Sequence, residues 1–257
     1  MVGTVTVMLT VGLALLGLFL FRRAIPRGRL AETGSVTGSA FTLVGILYPL
    51  VAAFALSTVW DGHQAAQAAT ANEAAAVADL LYASEALPAA TRAAVSQQTL
   101  AYAQDVMNDE FPRMRLGSPI ESRSEQLRQI RRTLSGAEPR TRQEIQAYDE
   151  SATALERLSS SRSERTGDSS AGIKSGLEPE IWVLLIGGAV ISVLFTYMVD
   201  TNDVTIHALC VALTAALLGF VLYLILTLDR PFVGSLAVST DAYQQVVDDW
   251  VARPPLR

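Results

Sequence analysis

The hydrophobic residues of this chain are concentrated in four long stretches that contain no Asp, Glu, Lys or Arg. The stretches are Val2 to Phe21, Val36 to Trp60, Ile181 to Val199 and Val204 to Leu228, the last with His207 near its start. At a rise of about 1.5 Å per residue, each is long enough to cross a hydrocarbon core about 30 Å thick. The pattern predicts four transmembrane helices. The uncharged start of the chain favours an uncleaved first span over a signal peptide.

The second predicted span has no stop signal at Trp60. Residues 64–81 are rich in Ala, and the first proline after Pro49 is Pro88. Because Ala favours helix and only proline strongly breaks it, we expect one continuous helix that leaves the membrane and becomes the first helix of a soluble domain. Pro49 lies in mid-span and predicts a helix kink, either a bend absorbed by packing or part of a gate.

The polar region between the second and third spans, residues 62–158, has hydrophobic residues at three- and four-residue spacing, which is typical of amphipathic helices. The sets are Val77, Leu80, Leu81 and Leu87; Val95, Tyr102 and Val106; Leu127, Ile130 and Leu134; and Ile145, Tyr148, Ala152, Leu155 and Leu158. The helix formed by the second set is expected to end before Pro112. The acidic residues near that end are expected to form a solvated surface: Asp105, Asp109 and Glu110.

The remaining chain divides by composition. Residues 159–178 are rich in Ser, Gly and Arg and predict a flexible linker. Residues 179–228 predict a transmembrane hairpin, spans three and four, joined by a tight turn at Asp200 to Asp203, with Trp182 as an interfacial anchor. Residues 229–257 form a tail whose amphipathic part, around Tyr243 and Trp250, packs on the domain or lies at the interface. With residues 1–61 as spans one and two, the prediction is an all-α membrane protein with a helical soluble domain inserted between spans two and three.

Composition narrows the function. The chain is 50% hydrophobic and 18% charged, which indicates a membrane protein in contact with the lipid bilayer. Its net charge of −5 gives no reason to expect nucleic acid as a partner. The single Cys and two His lack metal-ligand spacing, and no phosphate loop, nucleophile elbow or zinc helix is present, so we expect no cofactor, no metal and no enzymatic activity. Because the spans contain no charged residue, the sequence argues against an ion-coupled transporter. A passive pore and a non-conducting assembly remain as hypotheses.

The second span offers a candidate pore surface. Ile46, Leu50 and Phe54 recur at four-residue intervals and share one helix face, as three stacked rings would if several copies surrounded an axis. Nearby hydroxyls that would line the same pore are those of Thr42, Ser57 and Thr58. The alternative is a face that packs on lipid or on other spans.

Several short stretches together resemble the bestrophin-like family of prokaryotic membrane proteins, and they occur in order over nearly the whole chain. They are Gly45 to Phe54 with Trp60; Asn72-Glu73-Ala74; Glu110-Phe111-Pro112; Pro179 with Trp182; and Asp229-Arg230-Pro231-Phe232 followed by Gly234. The resemblance implies a pentamer in the bacterial cell membrane that passes small anions through a neck lined by the second span, with a cytoplasmic helical domain. The acidic run that follows this last segment in calcium-controlled bestrophins is absent here, so calcium control has no basis in this chain.

The main hypothesis is an oligomeric bestrophin-like ion channel, and the alternative is a non-conducting scaffold or sensor whose helical domain binds a partner. Membrane orientation stays open because the positive-inside rule gives opposing counts. The connection after the first span contains Arg22, Arg23, Arg27 and Arg29, whereas Arg162, Arg165, Lys174 and Arg230 flank the third and fourth spans.

Overall fold

A computed structural model describes residues 2–24, 34–118, 120, 124–167, 176–199 and 203–253, with backbone only at residues 2 and 34–40. Every regular element in these ranges is helical. The helices are α1 (Val2–Ala24), α2 (Gly34–Ala83), α3 (Ala89–Asp105), α4 (Phe111–Arg115), α5 (Glu125–Ser135), α6 (Arg142–Thr166), α7 (Pro179–Tyr197), α8 (Val204–Leu228) and α9 (Asp241–Val251). A 3₁₀ turn, Ser84–Ala86, follows α2, and a π-helical turn, Val106–Glu110, joins α3 to α4. The all-helical prediction is confirmed for the described residues.

Four of these helices are long and apolar enough to cross a membrane. The membrane-spanning candidates are Gly3–Ala24, Phe41–Ala86, Pro179–Tyr197 and Val204–Leu228. The predicted continuous second helix is confirmed, because α2 runs through Trp60 without a break and is 50 residues long. It also remains helical through Pro49, where the kink stays a prediction.

The chain forms two compact units, Met1–Asp61 with Gly176–Asp229, and Gly62–Ser175 with Arg230–Arg257. The boundary falls within α2. In the first unit, α2 packs on α7 and α8 through Tyr48, Ala52, Ala55 and Val59. A second cluster joins α1 to α7 and α8, where the Tyr197 hydroxyl donates a hydrogen bond to the carbonyl of Ala14 at 2.6 Å.

Asp229, a family-motif residue just after α8, is hydrogen-bonded to the segment just before α7. One Asp229 carboxylate oxygen accepts a hydrogen bond from the backbone N–H of Leu177 at 2.5 Å, and the side chain is buried. Trp182, in the first turns of α7, is half-buried against the same cluster as Tyr48, and its anchoring at the membrane interface stays a prediction.

The second unit has its own hydrophobic core, to which the other half of α2 contributes Val77, Leu80 and Leu81. The predicted α5 set is buried there, and Ser124 caps that helix. α6 begins with a capping box in which the Thr141 hydroxyl and the Glu144 carboxylate satisfy each other's backbone N–H groups. Tyr243 and Val247 of α9 are buried in this core, so the amphipathic tail packs on the second unit.

The motif after α8 also belongs to this core. Phe232 meets the ring of Phe111 edge-on, with ring centroids 5.9 Å apart. The Pro231 carbonyl accepts a hydrogen bond from Val238 at 2.8 Å. Gly234 has a φ of 92°, a conformation that favours glycine.

One boundary differs from prediction. The flexible linker expected from residue 159 is wrong in its first part, because α6 continues to Thr166 and ends at Gly167, whose φ is 78°. α3 ends at Asp105, before Pro112 as predicted, and helical backbone continues from it through the π-helical turn into α4, whose first turn contains Pro112. Residues 168–175 of the predicted linker, and Asp200 to Asn202 of the predicted turn, lie outside the described residues.

Candidate functional site

The two faces of α2 in the first unit differ sharply in exposure. Ile46, Leu50 and Phe54 are 64%, 52% and 68% exposed, although all three are large and apolar. The residues that α2 buries against α7 and α8 lie on the opposite side of the helix, at about 100° per residue. No other part of the described chain covers the candidate pore surface of Ile46, Leu50 and Phe54. The opposite face of α2 packs on α7 and α8.

The uncovered face continues in helical register beyond Phe54. Its exposed members in the first unit are Ile46, Leu50, Phe54, Ser57 and Asp61, and we call them the exposed stripe of α2. Thr42 is also exposed. The hydroxyl of Thr58 donates to the Phe54 carbonyl at 3.0 Å, so this side chain is bonded to its own helix. Whether the stripe lines a pore stays a prediction.

A second feature of α2 is a group of charged residues buried in the core of the second unit. Glu73 of α2 is fully buried, although family resemblance alone singled it out in the sequence. Around it lie a tyrosine from α3, a glutamate from the π-helical turn and two arginines from α6. We call this set the buried ionic cluster: Glu73, Tyr102, Glu110, Arg162 and Arg165.

The arginines hold the carboxylates through paired hydrogen bonds. Arg165 donates from Nε and Nη2 to the two oxygens of Glu73, at 2.5 and 3.0 Å, and from Nη2 to Glu110 at 2.7 Å. Arg162 donates from Nη2 and Nη1 to the two oxygens of Glu110, at 2.6 and 3.1 Å. Two positive and two negative groups balance, which is the condition under which buried charges are tolerated.

Tyr102 closes the network. Its hydroxyl donates to Glu73 Oε1 and accepts from Arg162 Nη1 at 3.1 Å. Burial raises the pKa of Tyr102 well above its usual value, and the neighbouring charge of Glu73 raises it further, so the phenol stays protonated. Burial alone would lower the pKa of Arg165, but the charge of Glu73 and the hydrogen bonds to it outweigh this and raise it. The cluster ties α2 to α3, α6 and the π-helical turn.

The expectation of a solvated acidic surface is wrong for Glu110, which is 6% exposed, and it holds for Asp109. Glu110 ends the π-helical turn, in which the Phe111 N–H reaches back to the carbonyl of Val106. A π-helical turn adds one residue to the helix and so rotates the following side chains toward a new direction. Sequence reasoning missed Arg162 and Arg165 as part of a site, although they continue the three- and four-residue spacing of Leu155 and Leu158.

The two histidines do not share a site. His207 is buried in the first unit, where its Nδ1 accepts from Arg22 Nη2 at 2.5 Å and its Nε2 donates to the Thr196 carbonyl at 2.8 Å. These roles follow because a guanidinium only donates and a carbonyl only accepts. His63 lies on α2, 3.4 Å from the side-chain nitrogen of Gln67. Within the described residues, no group of three or more His, Cys, Asp or Glu side chains could hold a metal ion.

The described part of the chain is all-helical and contains four candidate spans, which defines a multi-pass membrane protein. A model of the bestrophin-like domain matches residues 8–243. The chain therefore belongs to the bestrophin-like family, as its ordered motifs predict. No curated protein and no solved structure matches the chain.

Proposed function

We propose that this protein is an oligomeric channel for small ions in a bacterial cell membrane, with the second span of each subunit lining the pore. The pentameric state, the cytoplasmic location of the helical domain inserted between spans two and three, and a preference for anions are what the family resemblance implies. The proposed function is not enzymatic.

The observation that supports this function is the exposed stripe of α2. In the first unit, α2 packs on α7 and α8 through Tyr48, Ala52, Ala55 and Val59, and it leaves Ile46, Leu50 and Phe54 exposed on the opposite face, available to lipid or to α2 of a neighbouring subunit. Several copies placed around an axis would turn the stripe inward as successive rings. Apolar rings followed by polar ones form a constriction that conducts ions without buried charge in the spans.

The test is planar-bilayer recording of the purified full-length oligomer, with Phe54→Ala as the variant. Loss of the ring should widen the constriction and raise single-channel conductance about twofold or change selectivity. Leu217→Ala is the matched control, because Leu217 is 63% exposed on α8, outside the proposed pore, and its loss should leave conductance unchanged.

Absence of conductance in any salt from a correctly assembled oligomer would contradict the proposal. In that case a non-conducting scaffold or sensor would account for the same fold. Light scattering in detergent separates the two further, since a monomer or dimer cannot readily enclose a pore with one α2 helix per subunit.

A further inference from the structure

The charges along α2 are of one sign. The helix spans Gly34–Ala83 and contains no Lys or Arg, whereas it carries three acidic residues, Asp61, Glu73 and Asp79. Glu73 is buried and neutralised by Arg165. The Asp79 carboxylate lies 3.7 Å from Arg157. Of these three acids, Asp61 alone is exposed and forms no salt bridge with another described residue.

Asp61 also lies on the exposed stripe. It follows Phe54 by seven residues, which is close to two helical turns, so both side chains point to the same side of α2. At about 1.5 Å per residue, the two positions are separated by about 10 Å along the helix axis. Any arrangement that places Phe54 in a ring around an axis therefore places a ring of carboxylates about two turns further along.

We propose that this channel selects cations over anions, and that the Asp61 carboxylates form the ring that selects them. This inference rests on the proposed function. It departs from the anion preference that the resemblance implies. A ring of like charges at the mouth of a narrow, low-dielectric constriction attracts counter-ions and repels co-ions, and rings of Asp or Glu serve this purpose in cation channels.

The experiment measures the reversal potential of the purified full-length channel in bilayers of neutral phosphatidylcholine, under a KCl gradient. The reversal potential of the native channel should be shifted from zero toward the equilibrium potential of potassium. Asp61→Asn should lower the ratio of potassium to chloride permeability by about threefold or more. Asp61→Glu, which keeps the charge, should preserve the ratio.

Asp149→Asn is the matched control, because Asp149 is an exposed acid on α6 and its loss changes the net charge equally. Light scattering establishes that each variant assembles like the native protein. A conducting channel that prefers chloride, or an Asp61→Asn channel with unchanged selectivity, overturns this inference and leaves the channel itself standing. A native protein that is silent in every salt overturns the proposed function, and this inference with it.

Discussion

Arg162 and Arg165 lie on the same buried face of α6 as Leu155 and Leu158, two helical turns further along. A buried ion loses several kcal/mol of hydration, and an arginine is stable there only when its donors meet carboxylates in good geometry. Both arginines meet this condition through bidentate contacts with glutamates 52 and 92 residues away. Their side chains therefore fix the partners of α6 more selectively than apolar residues would, since only a correctly placed carboxylate compensates the charge.

Removing one charge from this set should be severe. Glu73→Gln leaves Arg165 buried with a single carboxylate, so we expect the second unit to lose about 3–5 kcal/mol of unfolding free energy. Urea denaturation of the detergent-solubilised protein, followed by far-ultraviolet circular dichroism, measures this loss.

The matched control is Glu125→Gln. Glu125 pairs with Arg128 and Arg132 on α5, but its side chain is 59% exposed, and exposed pairs contribute about 0.2–1 kcal/mol. Equal losses in the two variants would show that the buried pair carries no special weight.

At the scale of elements, α6 shows how local composition misleads. The run from Ser159 to Arg165 has no aliphatic side chain, and it predicts a linker when read alone. It is helical because the capping box at Thr141 starts the helix and Gly167 ends it. The two arginines supply the buried contacts that the missing apolar residues would have made.

Limited trypsin digestion distinguishes this helix from a linker. Arg140 precedes α6 and is 84% exposed, whereas Arg162 and Arg165 are each 2% exposed within it. We expect native protein to be cut after Arg140 and protected after both buried arginines, because cleavage requires local unfolding. Mass spectrometry of the fragments checks this, and the same digest in denaturant should cut all three positions. Early fragments of the native protein that end at Arg162 or Arg165 would show that this segment is a flexible linker and not a helix.

The sequence predicts the features that depend on neighbouring residues, and it does not predict those that depend on contacts between distant residues. Charge-free runs predicted the four apolar helices, and the lack of proline between Pro49 and Pro88 predicted the continuity of α2, because both depend on neighbouring residues alone. The buried ionic cluster depends on contacts between distant residues. Among many arginines and carboxylates, nothing local selects Arg165 as the partner of Glu73. The available signal was the continuation of the apolar spacing of Leu158 into arginine.

At the scale of the whole molecule, α2 contributes to both compact units, since the boundary between them falls after Asp61. In the first unit, one face of α2 packs on α7 and α8, and the exposed stripe has no partner among the described residues of the chain. In a membrane, contact with lipid satisfies an isolated apolar residue, so exposure in the first unit alone does not distinguish lipid from another subunit. The distinction requires a measurement on the assembled protein.

Disulfide cross-linking makes that distinction. In a background of Cys210→Ser, which removes the only native thiol, Leu50→Cys places one cysteine in the middle of the exposed stripe. If copies of α2 surround a common axis, the thiols are held at high effective concentration, and mild oxidation should give a covalent dimer that reductant removes. Leu217→Cys on α8 is equally lipid-compatible and 63% exposed, and it should give several times less dimer. Equal cross-linking at both positions, or none at Leu50, would mean that α2 faces lipid in the assembly, and neither the pore nor its carboxylate ring would then have a structural basis.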